Sequence, residues 1–285
     1  MVDLKSLPVI DFNIHLPMGN DGLYKRHEED LQMKICDLSK AIDFYTEDLK
    51  TIKSANYMLF NQYVTEEKGF KVDFEALLKS ARIHDGSTFT LLLDFRHPNV
   101  RQHIKDAREL GVLGVKFHSY IQKIQEEDFA GIVELCEYAQ ELGMFICIDT
   151  SYGSINLYKY DNLRLAVEVA DRIKNAPIVL LHSGGARVLE AMLIADMQEN
   201  IFLETSLTIP FYDGSALWKD IAYTYRKLNC DRVLYATDFP YITLERSFET
   251  HTRFFAEFGF EEGEINKIMY LNANKLLASL RQKNP

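Results

Sequence analysis

Residues that can ligate a metal, move a proton or pair with an anion stand at the ends of short apolar runs through most of this 285-residue chain. The first is VIDFNIHLP, residues 9–17, where Val9 and Ile10 lead to Asp11, Asn13 and His15. A strand's period of two would set those three polar side chains on one face. LGVKFH carries Lys116 and His118, MFICIDT carries Asp149, PIVLLHS carries His182, IFLETS carries Glu204 and RVLYATD carries Asp238. TFTLLLDF contains Asp94 and is followed by Arg96 and His97. Carboxylates and imidazoles serve as general acids, bases and metal ligands, while lysine and arginine bind carboxylates and phosphates. Each residue also has an ordinary use. His15 or His182 can be a satisfied core imidazole, and Asp149 or Asp238 can cap a turn. Lys116, Arg96 and His97 can be solvated strand or loop ends, and Glu204 is the weakest candidate because it can point outward. Joint placement at strand ends is what lifts the set.

The apolar runs are the elements that must position these residues. With PVIDF (8–12) and ANYMLF (55–60) they number eight, and continuous apolar strands mark a parallel sheet covered on both faces. Helical stretches lie between them. Residues 125–142 place Ile132, Cys136, Ala139 and Leu142 on one stripe and end at Gly143. Residues 161–174 open at Asp161, a natural N-cap, and residues 99–110 run to Gly111. Eight strands alternating with helices predict an α/β fold, the (β/α)8 TIM barrel, with a doubly wound sheet as competitor. Residues 18–54 carry Leu31, Ile35, Leu38, Ile42, Tyr45, Leu49 and Ile52 at helical spacing, which predicts a helical insertion after strand one, packed on the rim. No linker or repeat interrupts the chain, so a single domain over 1–285 is expected.

Composition narrows the function. Lysine and arginine against aspartate and glutamate give 32 − 42 = −10, which disfavours nucleic acid and anionic membrane surfaces as partners. No apolar run approaches the roughly 18 residues of a membrane span. MVDLKSLPVIDF lacks a basic region followed by an apolar one, and Cys36, Cys136, Cys147 and Cys230 are scattered. Together these predict a cytoplasmic protein with reduced core thiols. No GxSxG elbow, Walker A loop, HExxH or dinucleotide fingerprint is present. HSGG, residues 182–185, precedes a helical stretch and suits either an anion or tight packing.

In order along the chain, VIDFNIHLP, LGVKFHSYIQ, PIVLLHSGG, VLYATDFPY and NANKLL resemble the amidohydrolase superfamily, in the branch of small barrel hydrolases and decarboxylases called the amidohydrolase-2 family. The resemblance spans nearly the whole chain. It implies Asp-x-His-x-His at strand one, histidines at strands five and six and an aspartate at strand eight. These hold one or two divalent metals, often zinc, that activate water while the aspartate moves the proton. His15, His182 and Asp238 match that pattern. Asn13 stands where the first histidine belongs, and Asp149 where the strand-five histidine belongs. Asparagine is a weaker ligand than imidazole, and aspartate substitutes a hard oxygen. The implied metal set is Asn13, His15, Asp149, His182 and Asp238, around one Zn2+ or Mn2+ or around no metal. Without metal, Asp149 and Asp238 would repel and one pKa would rise. The expected activity is hydrolysis of a small anionic ester, lactone or amide, with Asp238 and His182 catalytic and Lys116, His118 and Arg96 binding the substrate. Non-oxidative decarboxylation and a barrel that only binds a ligand are the alternatives. The resemblance also implies a homodimer.

Overall fold

Each of the eight apolar runs forms a parallel strand. The computed structural model describes residues 3–15, 52–60, 87–151, 158–239 and 241–282. The strands are β1 (Val9–His15), β2 (Ile52–Phe60), β3 (Thr88–Leu92), β4 (Gly114–His118), β5 (Phe145–Asp149), β6 (Ile178–Leu181), β7 (Ile201–Glu204) and β8 (Val233–Leu234). They pair in sequence order in one sheet, as in a (β/α)8 TIM barrel. β8 is short, and the chain after it completes the closure on β1. Phe12 N donates to Tyr235 O (3.0 Å), Asp238 N to Asn13 O (2.9 Å) and His15 N to Phe239 O (2.7 Å).

Helices α1 (Val100–Glu109), α2 (Phe129–Glu141), α3 (Asn162–Arg172), α4 (Val188–Met197), α5 (Thr208–Phe211), α6 (Leu217–Lys227), α7 (Leu244–Glu257), α8 (Glu262–Asn266) and α9 (Asn272–Gln282) follow the strands. α3 starts where its cap dictates, since the Asp161 side chain accepts from Arg164 N at 3.2 Å. α2 begins four residues later than the 125–142 stripe suggests, after a short 3-10 turn at Glu126–Asp128. Of the predicted insertion, residues 18–51 lie outside the described residues. Ile52, the last residue of its stripe, opens β2 instead of ending a helix, and β2 starts three residues before ANYMLF.

Two apolar layers form. The outer one packs Val115, Phe117, Ile146, Ile148, Leu180 and Leu203 against the helices. The inner one fills the barrel with Ile10, Phe12, Phe145, Cys147, Val179, Leu181, Leu234 and Ala236, and Leu276, Leu277 and Leu280 of α9 join it. Asn272 at the head of α9 pins that helix to the barrel, donating to the carbonyls of Cys230 (2.7 Å) and Val233 (2.8 Å). Gly114 faces inward where any Cβ would run into the Phe145 ring, so the small residue makes room for the inner layer.

The register of β1 against β2 slips between Asp11 and Ile14. Ile10 and Phe12 belong to the inner layer, whereas Val9 and Ile14 belong to the outer one. The slip therefore exchanges faces partway along the strand. Asn13 and His15 turn inward. Asp11 does not share their face, because it precedes the slip and staples β1 to the segment after β8: its Oδ1 accepts from Thr237 N (3.0 Å) and its Oδ2 from Thr237 Oγ1 (2.6 Å).

Candidate active site

Inward-facing strand ends gather in two groups at the C-terminal mouth of the barrel. Lys116 and His118 alternate along β4 on the face of Gly114, and His118 pairs in register with Asp149 of β5. By alternation after Val179 and Leu181, His182 would point outward. Its left-handed backbone, φ 64°, turns it back into the mouth. Ser183 and Gly184 continue in the same region, with φ 48° and 80°. Such strain in non-glycine residues persists where the surroundings enforce it, and it clusters at functional sites.

The first group centres on one oxygen. Asp149 Oδ2 lies 3.3 Å from Lys116 Nζ, 3.2 Å from His118 Nε2 and 3.3 Å from His182 Nε2. All four side chains are buried, with Lys116 only 2% exposed. Burial works against the charge on Asp149, but His118, His182 and Lys116 overcome it and hold the carboxyl well below its usual range. The expected rise in an aspartate pKa through repulsion therefore does not occur at Asp149. Burial also works against a charged His182, and the charge and hydrogen bond of Asp149 reverse this to lift it to about 9. His118 goes the other way, down to about 3, because burial outweighs the attraction of Asp149.

The second group joins β1, β7 and β8. His15 Nε2 stands 3.2 Å from Asp238 Oδ1, and the backbone of Asp238 is also left-handed, φ 60°. Burial and the charge of Lys116 lower the pKa of His15. Asn13 Nδ2 donates to Ser206 Oγ (3.3 Å) and Glu204 Oε2 (3.4 Å), leaving Asn13 Oδ1 buried without a hydrogen bond. Tyr241 sets its edge against His15, ring centroids 5.4 Å apart. Among the described residues, Lys116 Nζ and His118 Nδ1 share with Asn13 Oδ1 the lack of a hydrogen bond, Lys116 keeping its ion pair with Asp149. Buried polar atoms seldom go unsatisfied, so three in one mouth mark where a ligand's polar groups belong.

Glu204, the weakest candidate by sequence, points inward and is fully buried. Its Oε2 accepts from His182 N (3.2 Å) and Ser206 Oγ (2.8 Å), and its other oxygen accepts from Ser206 N. Burial raises its pKa against the opposing pull of His182. Alternation in IFLE, with Ile201 and Leu203 outward, is the signal that finds it. Ser206 was not singled out by sequence, yet its carbonyl meets His182 Nδ1 at 3.1 Å. Arg96 is not brought to the mouth. Its side chain, 48% exposed, pairs with Asp128 at 2.6 Å and donates to the carbonyl of Gln122 at 2.8 Å. β3 ends at Leu92, four residues before it, so Arg96 belongs to the loop and ties it to the segment after β4. HSGG is a packed turn. Gly184 N donates to Thr150 Oγ1 (2.8 Å), and a Cβ at Gly184 would stand 2.8 Å from that of Ala191.

The five residues expected to ligate a metal divide between the two groups. Asp149 Oδ2 already faces an ammonium and two imidazoles, and Asn13 offers only a neutral amide oxygen in place of an imidazole. Among the described residues, no three His, Cys, Asp or Glu side chains converge so as to hold a metal ion. The donor set as arranged does not fit a divalent cation.

A family model described as amidohydrolase matches residues 61–278. No curated protein matches the sequence. Among solved structures, an uncharacterised TIM-barrel protein from Bordetella bronchiseptica is 16% identical over 96% of this chain and 100% of its own, with a TM-score of 0.72. A probable 2-pyrone-4,6-dicarboxylic acid hydrolase from Acinetobacter baumannii, with citric acid bound, is 10% identical over 95% and 100%, TM-score 0.64. A dihydroxybenzoic acid decarboxylase from Polaromonas sp. JS666, with manganese and 2-nitroresorcinol bound, is 13% identical over 95% and 97%, TM-score 0.61. At these identities the likeness establishes the shared barrel. No described helix is long and apolar enough to cross a membrane.

Proposed function

Because the chain belongs to the amidohydrolase-2 family, we propose that it hydrolyses a small ester, lactone or amide with Asp238 as general base. The observation that carries this reading is Asp238 itself. It is a buried carboxylate, held by a strained backbone with its Oδ1 3.2 Å from His15 Nε2, in a mouth that also holds Lys116 and His182. Water entering there gives a proton to Asp238 while its oxygen attacks the substrate carbonyl. The positive charges opposite Asp238 stabilise the oxyanion that develops. When the tetrahedral species collapses, the carbon–leaving-group bond breaks and Asp238 returns the proton to the departing oxygen or nitrogen. Arg96, paired with Asp128 outside the mouth, has no part in this step. The hydrolase neighbour with citric acid bound supports an acidic substrate.

The test is turnover of carboxylated lactones, esters and amides by the wild type and by Asp238→Asn. Loss of a general base lowers the rate by about 10²–10⁴-fold. Full turnover by Asp238→Asn would refute the mechanism. Release of carbon dioxide from an aromatic acid, with no hydrolysis, would assign the barrel to decarboxylation.

A further inference from the structure

We propose that the Lys116 ammonium takes the place of the divalent cation in this site and is its electrophile, so that the barrel works without a bound metal. The electrophilic role rests on the hydrolase reading above; the exclusion of metal rests on the side chains alone.

Asp149 is the carboxylate best placed to hold a cation, and Lys116 Nζ stands 3.3 Å from its Oδ2 inside a fully buried cluster. A fixed positive charge there repels a second one, and the repulsion is strong because little water reaches the pair. The positions that would offset it are altered. Asn13 brings no charge: its Nδ2 donates to Glu204 and Ser206, and it offers only a neutral amide oxygen.

The same geometry singles out Lys116 as the hydrogen-bond donor to a carbonyl oxygen. Both ring nitrogens of His182 are engaged, by Ser206 O at 3.1 Å and Asp149 Oδ2 at 3.3 Å. His118 is turned to Asp149 through Nε2, at 3.2 Å. Beyond its ion pair with Asp149, Lys116 Nζ makes no hydrogen bond among the described residues, so its remaining protons can meet an acceptor entering the mouth. As water attacks, the carbonyl electron pair moves onto oxygen and is held by the Lys116 N–H. Lys116 keeps its proton throughout, since the proton from water travels on Asp238.

The experiment measures Mn2+ binding, by titration calorimetry and by the Mn2+ paramagnetic resonance signal, to wild type, Lys116→Met and Lys116→Arg purified without chelator. Wild type and Lys116→Arg should bind Mn2+ only weakly and substoichiometrically. Lys116→Met should gain affinity by about tenfold or more, because the like charge is gone. One tightly held Mn2+ per wild-type chain overturns the proposal whether or not either variant folds, and it leaves the hydrolase reading standing. In turnover, the wild type should be indifferent to chelator. Lys116→Met should lose about 10²-fold or more, the scale of one removed oxyanion donor, and Lys116→Arg should recover part of it. Undiminished turnover in Lys116→Met also overturns the proposal. Should no ester, lactone or amide be turned over, the hydrolase reading fails and the Mn2+ titration still decides the metal question.

Discussion

The β4–β6 side of the mouth and the β1–β8 side use buried polar residues in opposite ways. On the first, Lys116, His118 and His182 all converge on one oxygen of Asp149. On the second, Asn13 keeps its Oδ1 without a hydrogen bond among the described residues, and Asp238 meets one imidazole, that of His15. The first side gathers charge on one carboxylate and fixes a field, while Lys116 Nζ still faces a ligand. The second offers Asp238 to a water and its proton. A site that must hold charge still while moving a proton benefits from this division, because preorganised charges need not rearrange as the reaction proceeds.

The sharpest break of that comparison is Asp149→Asn set against Asn13→Ala. Asp149→Asn leaves Lys116 and His182 buried without their counter-charge, and an uncompensated buried charge costs about 3–5 kcal/mol. Asn13→Ala removes the hydrogen bonds to Glu204 and Ser206 and leaves Glu204 its partners in Ser206 and the His182 backbone, a loss of about 1–3 kcal/mol. Urea unfolding of both variants should rank them in that order. Equal losses would mean that the Asp149 cluster is not the electrostatic centre of the mouth.

A second test sharpens the contrast within the cluster, where two imidazoles on one carboxylate shift in opposite directions. The folded pKa of His182 is raised to about 9. Its contribution is complete below the unfolded value of about 6.5 and is lost as pH rises through about 9. The folded pKa of His118 is lowered to about 3. Its neutral form is accommodated above about 6.5, and stability falls on acidification as the unfolded chain takes up a proton that the folded one refuses. Stability should therefore peak near neutral pH, read as urea midpoints across the range. His182→Gln should flatten the alkaline limb. His118→Gln should shorten the acid limb without abolishing it, because buried His251, lowered to about 4, acts in the same direction. An alkaline limb unchanged in His182→Gln would show that Asp149 does not charge that imidazole.

The barrel was legible because apolar runs and helical stripes alternate, and both signals are local. The site was legible as residue types and less so as geometry. Alternation grouped Asp11 with Asn13 and His15, but one slip in register separates them, and pairing with a neighbouring strand decides that slip. His182 was found by its place after an apolar strand, although strict alternation would turn it outward. Its positive φ reflects contacts with Glu204 and Thr208 that lie more than twenty residues away in sequence. Glu204 was undervalued because a carboxylate ending a strand is usually solvated, whereas here Ser206, His182 and Asn13 surround it. The metal expectation came from the resemblance. Spacing alone cannot show that Lys116, on a different strand, reaches Asp149.

Arg96 gives the smallest expected effect and the cleanest check on where the mouth ends. It and Lys116 are the two cations that sequence reading assigned to the substrate. They differ in surroundings: Lys116 is buried against Asp149, whereas Arg96 is half-exposed, pairs with Asp128 and lies 4.1 Å over the Phe95 ring. An exposed ion pair contributes about 0.2–1 kcal/mol, so Arg96→Ala should lower stability by no more than that. It should leave KM for a carboxylated substrate within about twofold, since a contact that is absent from the site cannot weaken binding by the factor of ten that 1.4 kcal/mol represents. A tenfold rise in KM with unchanged stability would bring the loop after β3 back over the mouth, and with it Arg96 as the anion's partner.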